Sequence, residues 1–206
     1  MKTQTLYISD LDGTLLNSDS VVSPHSIEKI NALLHRGMHF TVATARTPAT
    51  VIPLLQQLDL NMPAVHMIGA VLYDMRHRRY IRTNGFTDDS ALRYIERLEK
   101  RHLVPFVYRI DDNKLHVFHK TLSNEMQRTF KSQRENTPYK HFNLTTDYRE
   151  ELLDRPPLFI LVIDLFDRLE TAAAEIARTG KCSLFCYRDI VDPCYGTLAS
   201  YPQGVS

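Results

Sequence analysis

Residues 7–16 read Y-I-S-D-L-D-G-T-L-L. Leu6, Tyr7 and Ile8 form a short apolar run that predicts a strand, and two aspartates two residues apart follow it, then Gly13. Side chains two apart in an extended chain point to the same side. Asp10 and Asp12 are therefore expected to present both carboxylates to one spot, where the strand gives way to a turn. Carboxylates held close resist simultaneous ionisation, which suits one to act as nucleophile and the other as proton donor. The same pair offers a hard-oxygen site for Mg²⁺. Gly13 lets the backbone bend tightly beside a ligand.

Outward from this stretch, the chain alternates strand and helix signals. Ser23-Pro24 reads as an N-cap with proline at the first helical position, and Ile27, Ile30, Leu33 and Leu34 repeat at helical spacing up to a stop at Gly37. Residues 39–44, H-F-T-V-A-T, predict a second strand. Thr47-Pro48 opens a second helix carrying Val51, Ile52, Leu55 and Leu58, and Pro53 is expected to be tolerated only in its first turn. Ala64 to Ile68 predicts a third strand. This rhythm argues for parallel strands with helical crossovers, which bind ligands beyond the carboxyl ends of the strands. Asp10 and Asp12 stand at the end of the first strand and Thr44 at the end of the second, so two strand ends converge on one place.

At these residues the sequence resembles the haloacid dehalogenase (HAD) superfamily, and specifically its Cof-like (type IIB) phosphatases. D-L-D-G-T-L-L, from Asp10, looks like the family's first motif, and A-T-A-R at residues 43–46 looks like the second. The resemblance implies an α/β, Rossmann-like core, Mg²⁺ held by Asp10 and Asp12, and an aspartyl-phosphate on Asp10. It further implies that Asp12 protonates the leaving oxygen, and that Gly13, Thr44 and Arg46 surround the phosphoryl group. A hydroxyl and a guanidinium beside two carboxylates suit that task, gripping phosphoryl oxygens and offsetting their charge. Two departures bear on substrate handling: Ala45 replaces the usual glycine of T-G-R, and Ile68 replaces the usual asparagine of N-G-A. Leu72-Tyr73-Asp74 to Tyr80-Ile81 predicts a hairpin tipped by R-H-R-R, expected to be a solvated turn.

From about Asn84 the rhythm changes. Asp88 to Arg101 predicts an amphipathic helix, Val104 to Ile110 and Lys114 to Lys120 a hairpin, and Ser123 the opening of another helix. Residues 134–156 read as polar and irregular, and Leu158 to Leu165 as the strongest strand, central in its sheet. Asp167 to Thr179 predicts a helix ended by Gly180, and Cys182 to Ile190 and Thr197 to Tyr201 two final strands. This order resembles the α+β cap (C2B-type) inserted after the second motif in Cof-like enzymes. The expected domains are a core over 1–83, a cap over 84–201 and a return toward the core at 202–206. Asp111, Asp112, His116 and His119 are expected to be turn and strand-surface residues rather than ligands.

The 206 residues carry a formal charge of +1, with 43% hydrophobic and 24% charged residues. That balance gives no case for nucleic acid or an anionic membrane as partner. Three cysteines without C-x-x-C spacing argue against zinc and for a reducing, cytoplasmic setting. The resemblance also implies that a third-motif lysine and fourth-motif acidic ligands would follow Ser206. The core is accordingly expected to be incomplete at its C-terminus, with impaired phosphoryl transfer and an exposed sheet edge inviting homo-oligomers. The expected activity is hydrolysis of a small, sugar-phosphate-like metabolite. A phosphomutase of the same superfamily, or an inactive binding or assembly module, stands as the alternative.

Overall fold

The computed structural model describes residues 5–87, 89–153, 155–178 and 182–204. The chain divides into two compact units, Met1–Thr83 and Asn84–Ser206.

In the first unit β1 (Leu6–Ser9) and β2 (His39–Val42) pair in parallel, Leu6 opposite His39 and Ser9 opposite Val42. They are joined by α1 (Pro24–His35), which starts where Ser23 accepts a hydrogen bond from the Ser26 amide. It ends where Gly37, at φ 91°, lets the chain turn back. The Gly37 amide then donates to Leu34 and that of Met38 to Leu33, a double closure onto two carbonyls of the last turn. After β2 comes α2 (Pro48–Leu55), with Pro53 in its interior rather than its first turn. An eight-residue helix with Val51 and Leu55 buried loses one backbone bond to that proline and is held by its apolar face instead.

β3 (Ala64–His66) continues the parallel arrangement through the Ala43–Val65 bridge, then pairs antiparallel with β4 (Val71–Asp74), which pairs with β5 (Arg79–Thr83). The third strand stops two residues short of Ile68. Met67 and Ile68 both adopt φ 55° and Gly69 φ 90°, a left-handed turn that apolar composition does not announce. Leu11, Leu34, Val42, Val51, Leu55 and Ala64 meet in the core of this unit.

The second unit is a six-stranded sheet ordered β10-β11-β9-β6-β7-β8. Its strands are β6 (Pro105–Asp111), β7 (Lys114–His119), β8 (Lys140–Leu144), β9 (Phe159–Leu165), β10 (Cys182–Arg188) and β11 (Tyr195–Pro202). All neighbours are antiparallel except β7 and β8. Val107, Phe118, Ile160, Val162 and Leu198 pack under α3 (Ser90–Glu99) and α6 (Phe166–Ala177), through Ile95, Leu98, Leu169 and Ile176. On alternate positions Phe106 meets Phe130 of α4 (Glu125–Ser132), and Tyr108, Phe159 and Tyr201 stack in a row. β9 is interior, as its composition predicts.

The described residues of the range 134–156 are irregular only in part. They hold β8 and α5 (Tyr148–Leu152), whose Tyr148 hydroxyl donates to Pro105 and accepts from the Lys120 amide. β8 is a polar edge strand and α5 is five residues long, so neither carries a periodic apolar signal. The cap of α4 is Asn124, one residue after Ser123, accepting from the Gln127 amide. The expected starts and stops at Asp88, Thr179 and Gly180, and the end of the return segment at 205–206, lie outside the described residues.

Candidate functional site

The site grows from the paired ends of β1 and β2. The Ala43 amide donates to the Ser9 carbonyl at 2.9 Å, fixing the exit of β1 beside the residue that precedes Thr44. Past that point Asp10 is extended and exposed, Leu11 is fully buried and Asp12 is exposed again. The inward Leu11 anchors the loop and turns the two aspartates outward on either side of it. Gly13 follows at φ 73° and ψ 5°, and the Leu16 amide closes the loop onto the Leu11 carbonyl. Left-handed backbone is disfavoured for residues bearing Cβ, so a glycine suits the bend immediately after Asp12.

Arg46 grips Asp12 with both carboxylate oxygens engaged: Nε to Oδ2 at 2.9 Å and Nη2 to Oδ1 at 2.6 Å. The guanidinium is 31% exposed and the carboxylate 56%, so the pair adds at most about 1 kcal/mol to stability. Its larger effect is geometric, because a two-pronged contact fixes the carboxylate plane. Nη1 stays free of that contact.

Thr44 is buried, and its amide donates to Val65 while its Oγ accepts from the Arg46 amide at 3.1 Å. That bond occupies an acceptor position and leaves the hydroxyl proton to give. The Arg46 carbonyl accepts from the Met67 amide at 3.3 Å and lies 3.3 Å from Nδ1 of His66. His66 is fully buried, and burial takes its imidazole down to about 4, against the opposing effect of the Arg46 carbonyl.

The structure thus brings Asp12, Thr44 and Arg46 into one bonded group and places Asp10 at the adjacent strand exit. His66 and Met67 belong to the same group, although neither stands out in the sequence; a histidine closing an apolar strand was the one available signal. Ile68 joins it through its amide, which donates to the Thr44 carbonyl at 3.4 Å.

Among the described residues no cation pairs with the Asp10 carboxylate, and no group of three or more His, Cys, Asp or Glu residues is placed to hold a metal. What the loop offers is one exposed carboxylate not taken up by a cation, that of Asp10, with backbone carbonyls beside it. That sparse oxygen set fits Mg²⁺, which keeps several waters and commonly takes one or two carboxylates plus substrate phosphate.

The basic hairpin tip at 76–79 is organised by Asp74, which accepts from the amides of Arg76 and His77 and pairs with the His77 ring. Those bonds, the His77 amide first, hold the Asp74 carboxyl below its ordinary range. In the second unit Asp112 and Asn113 form the left-handed turn between β6 and β7, and Asp111 pairs with Arg109. His119 is buried with Nδ1 on the Lys120 carbonyl, and His116 lies against Asn143. No helix among the described residues is long and apolar enough to cross a membrane.

The family profile of haloacid dehalogenase-like hydrolases matches residues 7–189. Over 103 residues the chain is 32% identical to the pyridoxal phosphate phosphatase YbhA of Escherichia coli K12, covering 50% of this chain and 38% of that protein. Over 74 residues it is 38% identical to the 5-amino-6-(5-phospho-D-ribitylamino)uracil phosphatase YwtE of Bacillus subtilis, covering 36% of this chain and 25% of that protein. The matches therefore span less than half of either relative. Among solved structures, TM0651 of Thermotoga maritima superposes with a TM-score of 0.75 at 20% identity, over 99% of this chain and 71% of that one. A haloacid dehalogenase-like hydrolase of Bacteroides thetaiotaomicron gives 0.73 at 20% identity, over 99% and 73%. The subclass IIB sugar phosphatase BT4131 gives 0.63 at 16% identity, over 99% and 72%.

Proposed function

Because the chain belongs to the haloacid dehalogenase-like hydrolases and has the fold of their Cof-like, subclass IIB members, we propose that its site hydrolyses small phosphate monoesters through Asp10. The observation that carries this reading is the Asp12–Arg46–Thr44 group assembled at the end of β2, beside the strand exit that bears Asp10.

Asp10 attacks phosphorus with a carboxylate oxygen as the bond to the leaving oxygen breaks, giving an aspartyl-phosphate. Asp12 gives its proton to that leaving oxygen, then takes one from the water that attacks phosphorus and frees Asp10. Arg46 engages both Asp12 oxygens in the free site; when substrate binds it turns N–H groups to a phosphoryl oxygen, which leaves one Asp12 oxygen open to carry the proton it donates. Thr44 donates its remaining proton to another phosphoryl oxygen. The Asp10 carboxylate and the Asp12 carbonyl would hold Mg²⁺, which supplies charge neutralisation for the phosphate.

We assign residues 84–201 the role of a C2B-type cap that selects the leaving group, and a sugar-phosphate-like metabolite as the class it admits. The free thiols of Cys182, Cys186 and Cys194 agree with a cytoplasmic setting. A second reading, self-association through β1, is favoured by Leu6, Tyr7 and Ile8, which are 46%, 53% and 56% exposed. The test is p-nitrophenyl phosphate hydrolysis with Mg²⁺ by the chain and by Asp10→Asn. Equal activity in the two would overturn the assignment of the nucleophile, and phosphoryl transfer to a sugar rather than to water would favour a mutase.

A further inference from the structure

We propose that His66 is a positioning residue: by donating from Nδ1 to the Arg46 carbonyl, it sets where the Thr44–Arg46 loop points. What that loop binds rests on the phosphatase reading; the clamp itself is a matter of local geometry.

Residues 44–46 are tied to residues 65–68 by a short ladder. Thr44 donates to Val65 at 3.0 Å, Ile68 to Thr44 at 3.4 Å and Met67 to Arg46 at 3.3 Å. The last two are long for amide hydrogen bonds and weak on their own. The imidazole supplies a further donor to the same Arg46 oxygen at an equally long 3.3 Å, so that the two hold this carbonyl together, from a ring that is fully buried and set edge-on to Tyr73 at 5.9 Å. A carbonyl only accepts, so the bond requires the proton on Nδ1 and leaves Nε2 bare.

That bare nitrogen is informative. Nε2 is buried and has no hydrogen-bond partner among the described residues. Burying a polar atom unpaired is costly, and an aliphatic side chain of similar volume would avoid the cost. An imidazole at this position is therefore explained by its other nitrogen. The backbone beside it supports the same conclusion. Met67 and Ile68 both hold φ 55°, unfavourable for side-chain-bearing residues and most of all for β-branched Ile68. This strained turn carries the Met67 amide back onto the Arg46 carbonyl. Three residues in succession thus converge on the ends of one loop. Burial keeps the ring neutral through the ordinary pH range, so the clamp is permanent.

Two substitutions separate positioning from packing. His66→Asn keeps a donor near the place of Nδ1 but leaves a void, whereas His66→Leu fills the void and keeps no donor. The expected result, in the full chain with Mg²⁺, is that His66→Leu loses about tenfold in affinity for orthovanadate, the scale of one lost hydrogen bond. Its Met67 amide exchanges with solvent faster, although its melting temperature is at or above that of the parent. His66→Asn melts lower yet keeps vanadate affinity within about threefold and Met67 exchange near the parent value, because the donor is retained. Affinity that follows melting temperature across the two variants, or that is the same in both, would overturn the proposal. If the parent binds no vanadate, the phosphatase reading fails, and Met67 exchange alone decides the clamp: faster in His66→Leu supports it and unchanged sinks it.

Discussion

β1 and β9 are both apolar strands, yet their surroundings are opposite. Six of the seven residues of β9 are buried, and it lies between β11 and β6 with helices packed over the sheet. None of the four residues of β1 is buried, and among the described residues it pairs with β2 alone. The second unit uses its strongest strand to hold itself together. The first uses an open strand to deliver Asp10 to its tip. Hydrophobicity along a strand reports that it is a strand; what covers it depends on residues far away in sequence. On the proposed reading, the chemistry rests on the end of β1 while β9 serves stability, and substitutions in the two strands should reveal that division.

The largest effect is expected at Asp10. Asp10→Asn should lower phosphatase turnover by at least about a thousandfold, roughly 4 kcal/mol of barrier, with the melting temperature unchanged. A comparable loss of stability would show that the two roles are not separate. Next, Ile160→Ala in β9 should cost about 3 to 4 kcal/mol in urea unfolding, since it empties a fully buried position. Ile8→Ala in β1, at a residue 56% exposed, should cost under about 0.5 kcal/mol.

The strand edges sharpen the contrast. β8 closes one side of the second sheet, and its Lys140 is buried, with the ammonium taken down to about 8 by desolvation and then by Arg134. The folded state binds this proton less well than the unfolded chain does. The destabilisation is therefore fully present below about pH 8 and is relieved as pH rises toward 10.5. Lys140→Met should raise stability by about 2 to 3 kcal/mol at pH 7, and the gain should shrink above pH 8. A constant gain across that range would assign it to packing instead. A smaller effect than that at Lys140 is expected at Ile68, where Asn tolerates the left-handed backbone: Ile68→Asn should add about 1 kcal/mol.

Much of this was legible in advance, for identifiable reasons. A cap-and-proline start such as Ser23-Pro24 is a local event, and α1 begins where those residues say it does. The strand rhythm predicts that β1 and β2 run in parallel, with Asp10 just past the end of one and Thr44 just past the end of the other, and the two strands do pair that way. The contact between Arg46 and Asp12 was not legible, because it spans 34 residues and depends on how two loops cross. Nor was the turn at Met67 and Ile68: apolar side chains favour an extended reading, and only tertiary bonding to Thr44 and Arg46 holds them left-handed. β8 escaped for a related reason. A polar edge strand such as K-H-F-N-L is specified by its partner β7 more than by its own composition.

The bareness of β1 also bears on how any assay of this chain is interpreted. On the self-association reading, β1, which among the described residues pairs with β2 alone and carries three exposed apolar side chains, is adhesive, and adhesion scales with concentration. Turnover measured in a dilute cuvette and binding measured in a concentrated NMR tube would then describe different species. Dilution series, run before any kinetic constant is compared with a structural one, would establish which species each experiment sees.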